Sequence, residues 1–197
     1  MKVIAYYTLG TGYEQEAKRL KASLDKVGLK YQIEGVPNLG SWQANTRYKA
    51  TFIKEKIEEH LDGESLLYLD VDAVVKEYPH ELENIKEQIA VRFEDFKWQK
   101  GTCLSGTILI KPTLDMIRLC KDWELKNVMT AHDKKNLEQD NLGQLINEYC
   151  FRYPEHFKFK NLPVEYCFIF DIHKRMYRDK QPIIEHLQAS RRLKFKV

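Results

Sequence analysis

Residues Ser65 to Val75 read SLLYLDVDAVV. An apolar run meets two aspartates, Asp70 and Asp72, and the chain then turns apolar again. The run predicts a buried strand. Strand side chains alternate, so the two carboxylates share one side, and a turn at the strand end lets both converge on a cation. Unpaired carboxylates between apolar segments are costly to bury, which argues against a merely solvated loop. Two hard oxygen ligands suit Mg²⁺ or Mn²⁺ rather than Zn²⁺, with open positions that substrate phosphates fill.

Upstream, KVIAYYTLG predicts a first strand stopped by Gly10 and Gly12. Ala17, Leu20, Leu24 and Val27 recur at helical spacing, and Gly28 ends that helix. LKYQIEGV predicts a second strand, and Tyr48, Phe52, Ile53, Ile57 and Leu61 form the apolar stripe of a second helix ended by Gly63. SLLYLDV is therefore the third strand of a β-α-β-α-β succession, which favours a parallel sheet with crossover helices. In such sheets ligands bind beyond the strand C-termini. Thr8–Gly12, Pro37–Trp42 and Asp70–Asp72 should meet on that edge. Trp42, Asn45 and Lys49 share one face of the second helix, whose N-terminus favours an anion. Lys49 is thus expected to reach a diphosphate, with Asn45 nearby.

The second half is less regular. QIAVRF and LSGTILIKP predict strands, TLDMIRLCKDWELKN and LEQDNLGQLINEY predict helices, and FKFKNLPVEYCFIFDIH predicts one or two extended segments. No repeat or linker divides the 197 residues, so residues 1–197 are expected to form one α/β domain with a mixed, mostly parallel central sheet flanked by helices.

Composition narrows the class. At 43% hydrophobic and 31% charged, the chain is globular rather than disordered. A net charge of +3 is too weak to demand nucleic acid, although the tail SRRLKFKV is basic throughout its charged positions. The four cysteines form no CxxC pair, so reduced thiols and a reducing compartment are expected. No apolar run approaches the ~20 residues of a membrane span, and the apolar opening of MKVIAYYTLG is too short for a signal h-region and is expected to be the first strand. A cytoplasmic location is the expectation.

A D-x-D at a strand end serves two chemistries. In haloacid-dehalogenase-like phosphatases the first Asp is a nucleophile and the second an acid/base. In glycosyltransferases of the GT-A type the pair holds a metal on a nucleotide-sugar diphosphate. The phosphatase motif ends the first strand and needs a late acidic pair; here two βα units precede the motif and no Asp-Asp follows it. The transferase is favoured. GSWQANTRYKATFI, LLYLDVDAVVKEYP, LSGTILIKPT, LEQDNLGQLI, LPVEYCFIFD and IIEHLQASRRLK occur in that order. Together they resemble a family of small bacterial and phage nucleotide-diphospho-sugar transferases with a GT-A fold, over nearly the whole chain.

The resemblance implies a single GT-A-like (Rossmann-like) domain, a nucleotide-sugar donor such as a UDP-sugar, and Mn²⁺ or Mg²⁺. It implies that Tyr7, Thr8 and Thr11 cradle base and ribose, and that Ser105 and Gly106 pass beneath the donor. Gln139 and Asp140 would contact donor sugar or acceptor as the catalytic groups. His186 would complete a metal set with Asp70 and Asp72, and Arg191 and Arg192 would clamp phosphate. An inverting reaction would need a carboxylate base, Asp140 or Asp171; a retaining one would leave Gln139 or Asp140 against the sugar. The acceptor stays open between a glycan, a protein and a modified DNA base. A nucleotide-sugar-binding module without turnover is the alternative outside enzymes.

Overall fold

The computed structural model describes residues 1–97, 99–133 and 135–193. Lys194 and Lys196 of the basic tail lie outside the described residues. Strands β1 (Lys2–Thr8), β2 (Tyr31–Val36) and β3 (Leu66–Leu69) alternate with helices α1 (Tyr13–Val27) and α2 (Trp42–Glu59). Short β4 (Ala73–Val75), β5 (Ile89–Glu94) and β6 (Thr102–Ile110) follow, then α3 (Leu114–Met129) and α4 (Glu138–Arg152). The chain closes with β7 (Phe159–Asn161), β8 (Phe168–Ile169), α5 (His173–Met176), β9 (Ile184–His186) and α6 (Ala189–Leu193).

The main sheet has six strands in the order β2-β1-β3-β6-β5-β7. The pairs β1–β2, β1–β3 and β5–β7 are parallel, and β6 runs antiparallel to both neighbours. This is the mixed, mostly parallel sheet the sequence predicts. The strand period of two sorts the core. Val3, Ala5, Leu67 and Leu69 face α1 with Leu20 and Leu24, whereas Ile4, Tyr6 and Tyr68 face α2 with Phe52 and Ile53. Gly28 ends α1 at φ 73°, where its backbone N–H caps Leu24 O and a side chain would be strained. Leu61, expected in the apolar stripe of α2, lies past its end and is 41% exposed.

The predicted third strand is two strands. β3 stops at Leu69, and Ala73 N–H donates to Asp70 O at 2.9 Å, turning the chain between the two aspartates. The run resumes as β4 in a second, three-stranded sheet ordered β4-β9-β8. Its register sets Ala73 opposite His186. That pairing brings the C-terminal segment to the acidic turn. Residues 157–173 are likewise split: β7 joins the large sheet, β8 the small one, and a 3₁₀ turn at Val164–Tyr166 separates them. All four cysteines are free thiols. Among the described residues no helix is long and apolar enough to cross a membrane.

α5 buries His173 completely behind β8. Its Nδ1 accepts the Ile169 N–H at 2.9 Å, and the rings of Phe96, Phe168 and Tyr177 surround it. Burial pushes the imidazole down to about 4, outweighing the pull of nearby Glu94. The unfolded chain takes up this proton near pH 6.5 and the folded chain only near 4. Stability is therefore full above pH 6.5 and falls as the pH drops through that window. Urea titrations should show wild type losing about 2 kcal/mol more than His173→Phe between pH 7 and pH 5. Equal losses in both proteins would contradict the buried neutral histidine.

Candidate active site

Asp70 continues the alternation of β3, so its side chain follows Tyr68 to the α2 face of the sheet. There it meets Lys49. The Lys49 ammonium is only 3% exposed and donates to Glu138 Oε1 at 2.8 Å, Ser105 Oγ at 2.9 Å and Ser105 O at 3.2 Å. It pairs with Asp70 Oδ1 at 3.0 Å and lies 5.2 Å from the centroid of the Tyr68 ring. Ser105 Oγ–H donates to Glu138 Oε1 at 2.7 Å, and Tyr68 O–H to Asp70 Oδ1 at 2.9 Å. Burial works against the charge on Lys49, but Asp70 and Glu138 outweigh it and hold the amine well above its ordinary range. Burial pushes the Glu138 carboxyl up, against the opposing pull of Lys49.

A cavity of about 510 Å³ opens above this cluster, at the C-terminal ends of β1 and β3. One end is framed by Tyr7, Thr8, Tyr13, Trp42 and Asn45; Asp70, Asp72, Gly106 and His186 line it, and Phe96, Gln99, Thr102 and Leu104 form the other end. Asp72 Oδ2 accepts the Ala189 N–H at 2.7 Å, and its Oδ1 faces His186 Nδ1 at 3.7 Å. His186 Nε2 contacts Thr107 Oγ1 at 2.8 Å. Burial opposes charge on His186, yet Cys167 and Asp72 raise the imidazole to about 10. Burial pushes the Asp72 carboxyl up, but His186 and the Ala189 N–H outweigh it and hold the group below its ordinary range, favouring the carboxylate. Gly106 sits where β6 crosses beneath: a Cβ there would meet His186 Cε1 at 2.9 Å and Asp70 Oδ2 at 3.3 Å. The missing side chain is what lets Asp70 and His186 approach one point.

Asp70, Asp72 and His186 are thus neighbours, and two carboxylates with an imidazole suit Mn²⁺ or Mg²⁺. Among the described residues, however, no three His, Cys, Asp or Glu side chains are arranged to hold a metal ion. The expected three-residue set is gathered but not preformed. In this arrangement His186 Nε2 is engaged with Thr107 Oγ1 and its Nδ1 faces Asp72 Oδ1 at 3.7 Å.

The remaining predicted residues divide. Tyr7, Thr8, Asn45, Ser105, Gln139 and Arg191 line the cavity. Lys49 lines it too, but its protons are committed to Asp70, Glu138 and Ser105. It positions the carboxylates rather than reaching for a diphosphate. Asn45 Oδ1 accepts the Leu39 N–H at 2.8 Å, so it also shapes the loop before α2. Thr11 is turned away: its hydroxyl donates to Thr8 O at 2.6 Å and shapes the first turn. Asp140 Oδ2 accepts the Leu137 N–H at 2.9 Å as a helix cap and does not line the main cavity. Arg192 donates to buried Glu16 at 3.1 Å, and Arg191 pairs with Asp171. Asp171 is absent from the lining as well. Sequence reasoning passed over Glu138, which lines the cavity with Oε2 buried and unpartnered. The signal was available, because only one acid of a Glu-Gln-Asp run at a helix start is needed for the cap.

If the ammonium organises the site, removing it strands two carboxylates. Lys49→Met should cost about 3–5 kcal/mol in denaturant unfolding, since an uncompensated buried charge is left behind. Adding Glu138→Gln should restore part of that loss. Additive effects would contradict the coupling.

No family model matches the sequence, and no curated protein matches it in sequence. Solved structures match the fold over nearly its whole length. A glycosyltransferase involved in glycosylation of the major capsid of the virus PBCV-1 aligns at TM-score 0.66 and 16% identity, covering 97% of this chain and 96% of its own. The glycosyltransferase GlyE of Streptococcus pneumoniae TIGR4 aligns at TM-score 0.57 and 14% identity over 94% of this chain, which spans 54% of GlyE. A galactosyltransferase, LgtC, solved in complex with donor and acceptor sugar analogs, aligns at TM-score 0.54 and 12% identity, covering 94% of this chain and 86% of its own. The six-stranded mixed sheet flanked by helices is therefore the GT-A glycosyltransferase fold.

Proposed function

We propose that this chain is a metal-dependent glycosyltransferase that moves a sugar from a nucleoside-diphosphate sugar, a UDP-sugar in the simplest case, to an acceptor hydroxyl. The observation that carries the reading is that Asp70 and His186 meet at Gly106 while Asp72 faces His186, all three lining one cavity of this fold. Tyr7, Tyr13 and Trp42 at one end offer ring faces for a base, and Thr8 offers a hydroxyl. Asp70 and Asp72, with His186 once its proton is lost, would hold Mn²⁺ or Mg²⁺ against the diphosphate. When bound, the metal supplies a Lewis acid that stabilises charge on the leaving nucleoside diphosphate. Arg191 also lines the cavity, paired with Asp171.

Glu138 is the residue we assign to the donor sugar. Its Oε2 is a buried acceptor without a partner, a condition a sugar hydroxyl would relieve. Lys49 and Ser105 fix its other oxygen, so the carboxylate is oriented before the donor arrives. Gln139 follows it into the cavity. Asp140 caps α4 and Asp171 pairs with Arg191, and neither lines the main cavity. Retention, with Glu138 and Gln139 on the donor sugar, fits the geometry better. The PBCV-1 neighbour is involved in glycosylation of a capsid and the LgtC structure holds an acceptor sugar analog, so a sugar acceptor has precedent in this fold.

Thermal unfolding with a panel of nucleoside diphosphates tests the donor site. One nucleotide with Mn²⁺ should raise the melting temperature by several degrees. Asp72→Ala and Gly106→Ala should each abolish that shift. A metal-dependent shift that survives in both variants would remove the acid pair from the site. No shift with any nucleotide, together with hydrolysis of a phosphate ester, would establish the phosphatase chemistry instead. Slow release of nucleotide from a donor sugar in water distinguishes an enzyme from a binding module.

A further inference from the structure

A second cleft, of about 350 Å³, lies beside the main cavity and shares Gln99 with it. The wall between them follows from side-chain alternation. On β6, Thr102 and Leu104 face the main cavity and Cys103 faces the cleft. On α4, Gln139 faces the cavity while Asp140, Gly143, Gln144 and Asn147 face the cleft. Gly143 sets the spacing, since a Cβ there would meet Cys103 Cβ at 2.8 Å. The shared Gln99 sets the cleft beside the end of the cavity that Thr102 and Leu104 line, away from Tyr7 and Trp42.

Its chemistry is specific. Gln99, Asn136, Gln144 and Asn147 supply four amides to the lining, with Lys135 against Asp133 and Asp140. An amide both donates and accepts, as does each hydroxyl of a sugar. A polyanion would call for a basic lining, and an apolar side chain for an apolar one; the cleft provides neither. Asn136 Oδ1 on the cleft side and Thr102 Oγ1 on the cavity side are both buried without partners. A donor entering the cleft would give Asn136 Oδ1 the partner it lacks. We propose that this cleft is an outer acceptor subsite for a neutral glycan of two or more sugars, its terminal hydroxyl passing Gln99 into the main cavity. The assignment rests on the transferase reading for the direction of transfer but not for the cleft's affinity.

Gln144 and Asn147 are exposed and one helical turn apart on α4, so replacing both by Ala should leave the fold intact, as a melting curve will verify. The probes are methyl glycosides of mono-, di- and trisaccharides built from neutral hexoses and N-acetylhexosamines. Their affinities are measured by calorimetry or saturation-transfer NMR. In at least one series wild type should bind the disaccharide about tenfold more tightly than the monosaccharide, as two added hydrogen bonds allow. The Gln144→Ala, Asn147→Ala protein should lose that gain. Equal affinity at every length, a gain that survives in the double variant, or no binding by any glycan would overturn the proposal. The wild-type nucleotide shift reads the donor site separately. Length dependence without a nucleotide shift would sink the transferase and leave the cleft, and the reverse result would sink the cleft alone.

Discussion

The Lys49 ammonium is the point on which the site turns. Buried between α2 and the sheet, it ties together the end of β3 through Asp70, the middle of β6 through Ser105, and the start of α4 through Glu138. An unpaired ammonium at 3% exposure would be prohibitive, so these partners are obligatory rather than decorative. Its effect is to fix two carboxylates at the cavity floor before any ligand arrives. Such preorganisation is the condition under which fixed charges are most effective in a partly closed site.

The second constraint is the β4–β9 pairing. It sets Ala73 opposite His186 and delivers the last elements of the chain to the acidic turn. The Ala189 N–H on Asp72, Arg191 on Asp171, Arg192 on Glu16 and Leu193 against Gly12 then fasten α6 across the cavity edge. The C-terminal segment is thus part of the site through backbone pairing, not only through its charged side chains. Gly106 completes the arrangement by leaving room for His186 and Asp70 to approach.

What the sequence disclosed follows from how local each signal is. The β-α-β-α-β succession was legible because hydrophobic period, glycine stops and strand-end acids all act within a few residues. The ordered motifs carried the rest of the fold. The role of Lys49 was only half legible: helical spacing put it on the correct face, but its partners come from residues 70, 105 and 138, which no local pattern links. Thr11 and Asp140 looked functional because turn-forming and capping residues are the same polar types that bind ligands. Glu138 was hidden for the converse reason, since the acid that caps α4 and the acid that faces the cavity stand two residues apart. The gathering of His186 with the acids is legible as a resemblance, but its contacts with Thr107 and Asp72 join residues far apart in the chain and could not be read from spacing.

The central claim is that Asp70, Asp72 and His186 form one metal-and-diphosphate site above Lys49. Crystals grown with Mn²⁺ and the nucleoside diphosphate that most stabilises the chain would test it through the anomalous signal of manganese. A peak at coordination distance from Asp72, with Asp70 or His186 as a further ligand and a phosphate oxygen on the open side, is the predicted result. Nucleotide in the cavity with manganese elsewhere, or with none at the acid pair, would contradict it.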